Sequence, residues 1–163
     1  MLDCKNIYRL LSEYPECRDV LQKHENNNEM AFQKLISLKG KVPKELYGIC
    51  LHIMYRDDTD EVSIDTLIEA FQDVDREDIM SEKDLKEYES FLDKITIYRG
   101  TDDFDEKKPR ISWSLNKEIA ENFATAHMFK AIIAKSDVIA YFCENSDEHE
   151  IIAVVNNNFE IIY

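Results

Sequence analysis

Apolar positions in the first half of the chain recur every three to four residues, the period of a helix that buries one face. Residues 5–22 carry Ile7, Leu10, Leu11, Tyr14, Val20 and Leu21 at mostly helical spacing, and Pro15 stands where it would break the run. Residues 28–38 and 43–56 read as two more helices. Pro43 sits where the second begins, and Leu46, Tyr47, Cys50, Leu51 and Met54 form its apolar stripe. Residues 62–72 continue the pattern with Ile64, Leu67, Ile68 and Phe71. Residues 81–92 predict a further helix, with Ser81 as N-cap and Asp84 three residues later.

Near residue 95 the helical period gives way to strand-like runs. Ile95-Thr-Ile-Tyr-Arg predicts a strand ending at Gly100, residues 101–109 a polar turn, and Arg110-Ile-Ser-Trp-Ser a second strand. Asn116 is placed to cap a helix over 117–130, with Ile119, Ala120, Phe123 and Ala124 on its apolar face. Residues 131–134, 138–142 and 150–155 predict three more strands. A last one, 159–163, follows a turn through Asn156-Asn157-Asn158. Helices followed by strands imply an α+β fold: a helical subdomain over 1–94, then a mostly antiparallel sheet with one helix over 95–163. The chain has 163 residues, the length of one domain or of two small subdomains that share a core.

Charge changes this picture in the middle of the chain. The net charge is −14. Residues 57–93 hold 15 acidic and 3 basic side chains, whereas residues 1–56 hold 7 and 9. An acidic surface repels phosphate backbones and attracts basic partners, so nucleic acid is not an expected partner. No run of 18 apolar residues occurs, so no membrane span is expected. The start, Met-Leu-Asp-Cys-Lys-Asn, has no apolar signal stretch, which points to the cytoplasm. The cysteines at 4, 17, 50 and 143 and the histidines at 24, 52, 127 and 149 show no metal-ligand spacing, so no metal is expected. Asp58-Thr-Asp60 with Glu69 imitates part of a calcium loop, but Val62 and Ser63 stand where an oxygen ligand and a glycine belong.

Three strand-borne segments carry candidate chemistry: Tyr98-Arg99-Gly100, Ser112-Trp113-Ser114 and Glu148-His149-Glu150. Residues two apart on a strand share a face, which pairs Ser112 with Ser114 and Glu148 with Glu150. Two neighbouring carboxylates repel each other, a cost that is worthwhile at a site handling positive charge. Arg99 offers a fork for phosphate, and Gly100 permits close approach to the backbone. A cation for phosphate, small hydroxyls for positioning and a carboxylate for developing positive charge suit cleavage of a glycosidic bond through an oxocarbenium-like state.

The order Arg, S-x-S, E-x-E resembles the motif trio of arginine-type mono-ADP-ribosyltransferases, including small prophage-type and bacterial proteins. The resemblance covers about 70 residues and includes Ser-Trp-Ser-Leu-Asn followed by the Ala120 and Phe123-Ala124 positions. It implies an NAD-binding core that transfers ADP-ribose to a macromolecule, often at arginine, and releases nicotinamide. Arg99 would hold the phosphate and ribose, and Gly100 would contact the nicotinamide amide. Ser112 would brace the site, with Trp113 and Ser114 beside the cofactor. Glu150 would bind the ribose and stabilise the oxocarbenium, and Glu148 would orient or deprotonate the acceptor. The chain departs from the pattern in having Trp113 between the serines and Arg110 where an aromatic residue is customary. Two rival readings use the same residues: an NAD glycohydrolase with water as acceptor, and a non-enzymatic binding or inhibitor module acting through the acidic surface.

Overall fold

The structure, a computed structural model, describes residues 4–24, 27–57, 59, 61–102, 110–143 and 149–163. Among the described residues, eight helices and a six-stranded antiparallel sheet make the fold α+β, helices first and strands last. The chain divides into two units, Met1–Ile79 and Met80–Tyr163. No helix is long and apolar enough to cross a membrane among the described residues.

The first unit is helical: α1 (Cys4–Glu13), α2 (Pro15–His24), α3 (Asn28–Ser37), α4 (Lys44–Asp57), α5 (Ile64–Phe71) and α6 (Arg76–Ile79). Pro15 opens α2, where its missing N–H removes no helical hydrogen bond. Phe32, Leu35, Leu46, Leu51, Met54 and Phe71 are fully buried and form the centre of this unit. Gly48 lets α6 approach α4, because an added Cβ would overlap the Asp78 carbonyl. Ser63 caps α5 by accepting from the Thr66 N–H, which gives it a structural use in place of a calcium-loop position. Asp58 and Asp60 lie outside the described residues. Cys17 and Cys50 here, and Cys143 in the second unit, are buried free thiols.

The second unit holds α7 (Glu82–Glu89), β1 (Lys94–Thr101), β2 (Arg110–Ser114), α8 (Lys117–Asn122), β3 (His127–Ala134), β4 (Ala140–Phe142), β5 (Glu150–Val155) and β6 (Phe159–Ile161). The sheet order is β4-β5-β2-β1-β3-β6. The helix expected over 117–130 is corrected: α8 stops at Asn122, and 127–134 is strand. Met128 and Phe129 are both buried, so this strand shows no simple alternation at its start. Its eight residues pair with all of β1, from Lys94 opposite Ala134 to Thr101 opposite His127. His127, expected on a helix, therefore lies on a strand, stacked 6.4 Å from Phe129.

Helix α7 joins the sheet through one buried carboxylate. Asp84 is 1% exposed. Its Oδ2 accepts from the Ser81 N–H and hydroxyl at 3.1 and 2.8 Å, a capping box, and its Oδ1 accepts from the Cys143 N–H at 2.8 Å. Burial alone would raise its pKa; the hydrogen bonds from Cys143 and Ser81 outweigh that and hold it below the ordinary value. A depressed carboxylate pKa gives stability that is present above the ordinary value and lost as pH falls through the native one. Asp84→Asn is expected to cost roughly 2 kcal/mol at neutral pH, since it removes a charge that accepts three hydrogen bonds. Urea melts at pH 7 and pH 3 check this: the gap between native protein and variant should shrink at pH 3. An equal gap at both would contradict it.

Candidate active site

Strands β5, β2 and β1, which carry the three motifs, are neighbours in the sheet. Ser114 lies opposite both Tyr98 on β1 and Glu150 on β5. β1 pairs with β3 along its whole length, but among the described residues it pairs with β2 only at Tyr98 and Ser114. Past that pair the Arg99 side chain makes the link that a backbone ladder would otherwise make: its Nη1 donates to the Ser112 carbonyl at 2.6 Å. The Ser112 hydroxyl in turn donates to Glu150 Oε1 at 2.6 Å. Arg99, Ser112 and Glu150 thus form one hydrogen-bonded series across three strands, although 38 positions separate the last two. Arg99 and Ser112 are half-buried, whereas Glu150 is 9% exposed.

The other expected site residues have different surroundings. Ser114 is buried, and its hydroxyl serves the turn into α8: it accepts from the Asn116 N–H at 2.9 Å and lies 3.0 Å from the Asn116 carbonyl as donor. Asn116 then caps α8 through the Glu118 and Ile119 N–H groups. Trp113 is 2% exposed with its indole N–H donating to the Arg110 carbonyl, so it is a core side chain and not a stacking surface for a ligand. Gly100 is approached closely by its own chain: an added Cβ would overlap the Ala120 carbonyl and the Ala124 nitrogen at the end of α8. Glycine is needed there for helix packing. Gly100→Ala is expected to cost about 1–3 kcal/mol by overpacking, which a thermal melt would register as a drop of roughly 3–10 °C. An unchanged melting temperature would show that α8 moves aside freely.

Glu148 lies outside the described residues. β5 begins at Glu150, and His149 before it has a φ of 48° in the left-handed region. Arg110, which replaces the customary aromatic residue, is buried with its guanidinium 4.4 Å from the Phe129 ring and 4.6 Å from the Phe159 ring. Aromatic mass at that position comes from β3 and β6, held by cation–π attraction.

Sequence patterns missed a second polar group in this unit. The Tyr141 hydroxyl donates to Glu87 Oε2 at 2.8 Å and lies 2.6 Å from His149 Nδ1. Neither Glu87 nor Tyr141 carries a motif, because they come together only through the packing of α7 on β4. No family model matches the chain, no curated protein matches its sequence, and no solved structure matches its fold.

Proposed function

We propose that this chain is an NAD-dependent mono-ADP-ribosyltransferase whose acceptor is a protein side chain. The observation that carries the reading is the series Arg99–Ser112–Glu150, which joins three motifs distant in sequence at the place where β1 and β2 part. In the reaction the bond between nicotinamide and ribose C1′ breaks, and its electron pair leaves on the pyridine nitrogen, neutralising the ring. Positive charge then grows on C1′ and the ring oxygen. Glu150, largely shielded from water and aimed by the Ser112 hydroxyl, is a preorganised anion for that charge. Arg99 supplies a planar cationic fork for the diphosphate, and its bond to the Ser112 carbonyl ties that fork to the strand bearing the brace. The acceptor nucleophile adds to C1′ and gives up a proton, a step assigned to Glu148 by the resemblance.

The test is incubation with NAD labelled in its adenylate half, with cell lysate, reading nicotinamide release and protein-bound label together. Both are expected. Release without protein label would identify an NAD glycohydrolase. Consumption of no NAD with a broad panel of lysates would favour the binding-module reading.

A further inference from the structure

An open, shallow cleft of about 580 Å³ lies between α7 and the sheet, lined by Glu87, Phe91, Tyr98, Leu115, Tyr141 and His149 among others. Its proton inventory is fixed by geometry. A phenol has one proton, and Tyr141 gives it to the Glu87 carboxylate. The Tyr141 oxygen must then accept from His149 Nδ1–H. The His149 ring therefore carries a hydrogen on Nδ1. The Tyr141 hydrogen bond keeps Glu87 below the usual carboxylate range, so it stays anionic. Burial pushes the Tyr141 hydroxyl well up, so it stays protonated. Glu87 and His149 keep 39% and 46% of their side-chain surface accessible to a ligand.

The Glu87 carboxylate is thus an acceptor, and it stands among rings. Phe91 meets Tyr141 edge-on at 4.9 Å, and His149 stacks on Tyr141 at 6.1 Å. Lys117, the cation at the rim, is paired with Glu121 at 3.2 Å. An acceptor beside aromatic faces suits a cation that donates hydrogen bonds, and a planar guanidinium fits both features better than an ammonium. An anion would face the carboxylate, and a neutral apolar group would desolvate it without compensation.

We propose that this cleft is a recognition pocket for one arginine side chain presented by a basic partner protein. Charge favours such a partner. The chain carries a net −14, and residues 80–93, which include Glu87, hold five acidic and two basic side chains. The proposal concerns docking and stands apart from the NAD reaction, so its test needs no turnover.

The full chain, labelled with nitrogen-15, is titrated with the peptide Gly-Gly-Arg-Gly-Gly, with its lysine version and with its citrulline version, a neutral isostere. The arginine peptide is expected to shift the amides of Leu115, Asn116, Lys117 and His149 with a millimolar Kd. The citrulline peptide should bind at least about tenfold more weakly, as should the arginine peptide to Glu87→Gln, since each change removes a charge-assisted hydrogen bond. Tyr98→Leu, which removes a ring without touching the Glu87–Tyr141–His149 group, should also weaken binding. Equal binding of the citrulline peptide, indifference to Glu87→Gln, shifts confined to other surfaces, or no shift up to roughly 10 mM peptide would each overturn the proposal. Tighter binding of the lysine peptide would overturn the choice of arginine.

Discussion

Glu150→Gln is expected to depress nicotinamide release and ADP-ribose transfer together, by about 100-fold or more if its charge acts like other preorganised electrostatic groups. The substitution is a clean probe because glutamine keeps a carbonyl oxygen where Glu150 Oε1 accepts from the Ser112 hydroxyl. The brace and the shape persist, and the charge opposite the developing oxocarbenium disappears. Glu148→Gln, at a position outside the described residues, is the companion. It should spare hydrolysis and reduce transfer, because only acceptor activation suffers. Nicotinamide and transferred label are measured in parallel for the native protein and both variants. Equal loss of hydrolysis in the two variants would contradict this division of labour.

Arg99→Lys is expected to raise the KM for NAD roughly 10- to 100-fold, on the scale of losing one or two hydrogen bonds to a charged group. Lysine keeps the charge but loses the planar fork, and its single ammonium cannot serve both the diphosphate and the Ser112 carbonyl in the same geometry. The effect should fall more on KM than on kcat, because the diphosphate is bound alike in ground and transition states. NAD saturation curves check it, with a thermal melt confirming that the variant is folded. A KM within twofold of the native value would remove Arg99 from the binding role.

The α+β order and most element positions were legible because local signals agreed with tertiary packing. Ser81 and Asp84 spell a capping box in the sequence and form one, and Arg110–Ser114 and Glu150–Val155 are strands where apolar runs predict them. The failures have physical causes. Ile119, Ala120, Phe123 and Ala124 extend the helical pattern of α8, but the end of α8 abuts Gly100 and the chain is drawn off to pair with β1. The four residues of α6 are too few to show a period. In the candidate site, Arg99, Ser112 and Glu150 were legible as types at strand positions. What could not be read was that the Ser114 hydroxyl serves a turn and that Gly100 faces a helix end. Those outcomes depend on what lies across the sheet, which strand patterns do not encode. The Glu87–Tyr141–His149 group was invisible for the same reason, since its members are 54 and 8 positions apart and meet only in the fold.

The most direct measurement is a structure of the Glu150→Gln protein with NAD bound, since that variant should hold the dinucleotide without consuming it. The account predicts the nicotinamide ribose C1′ against the side chain of residue 150, with the diphosphate on Arg99 and the Ser112 hydroxyl between them. NAD seated elsewhere on the molecule, or its absence at millimolar concentration, would contradict the account.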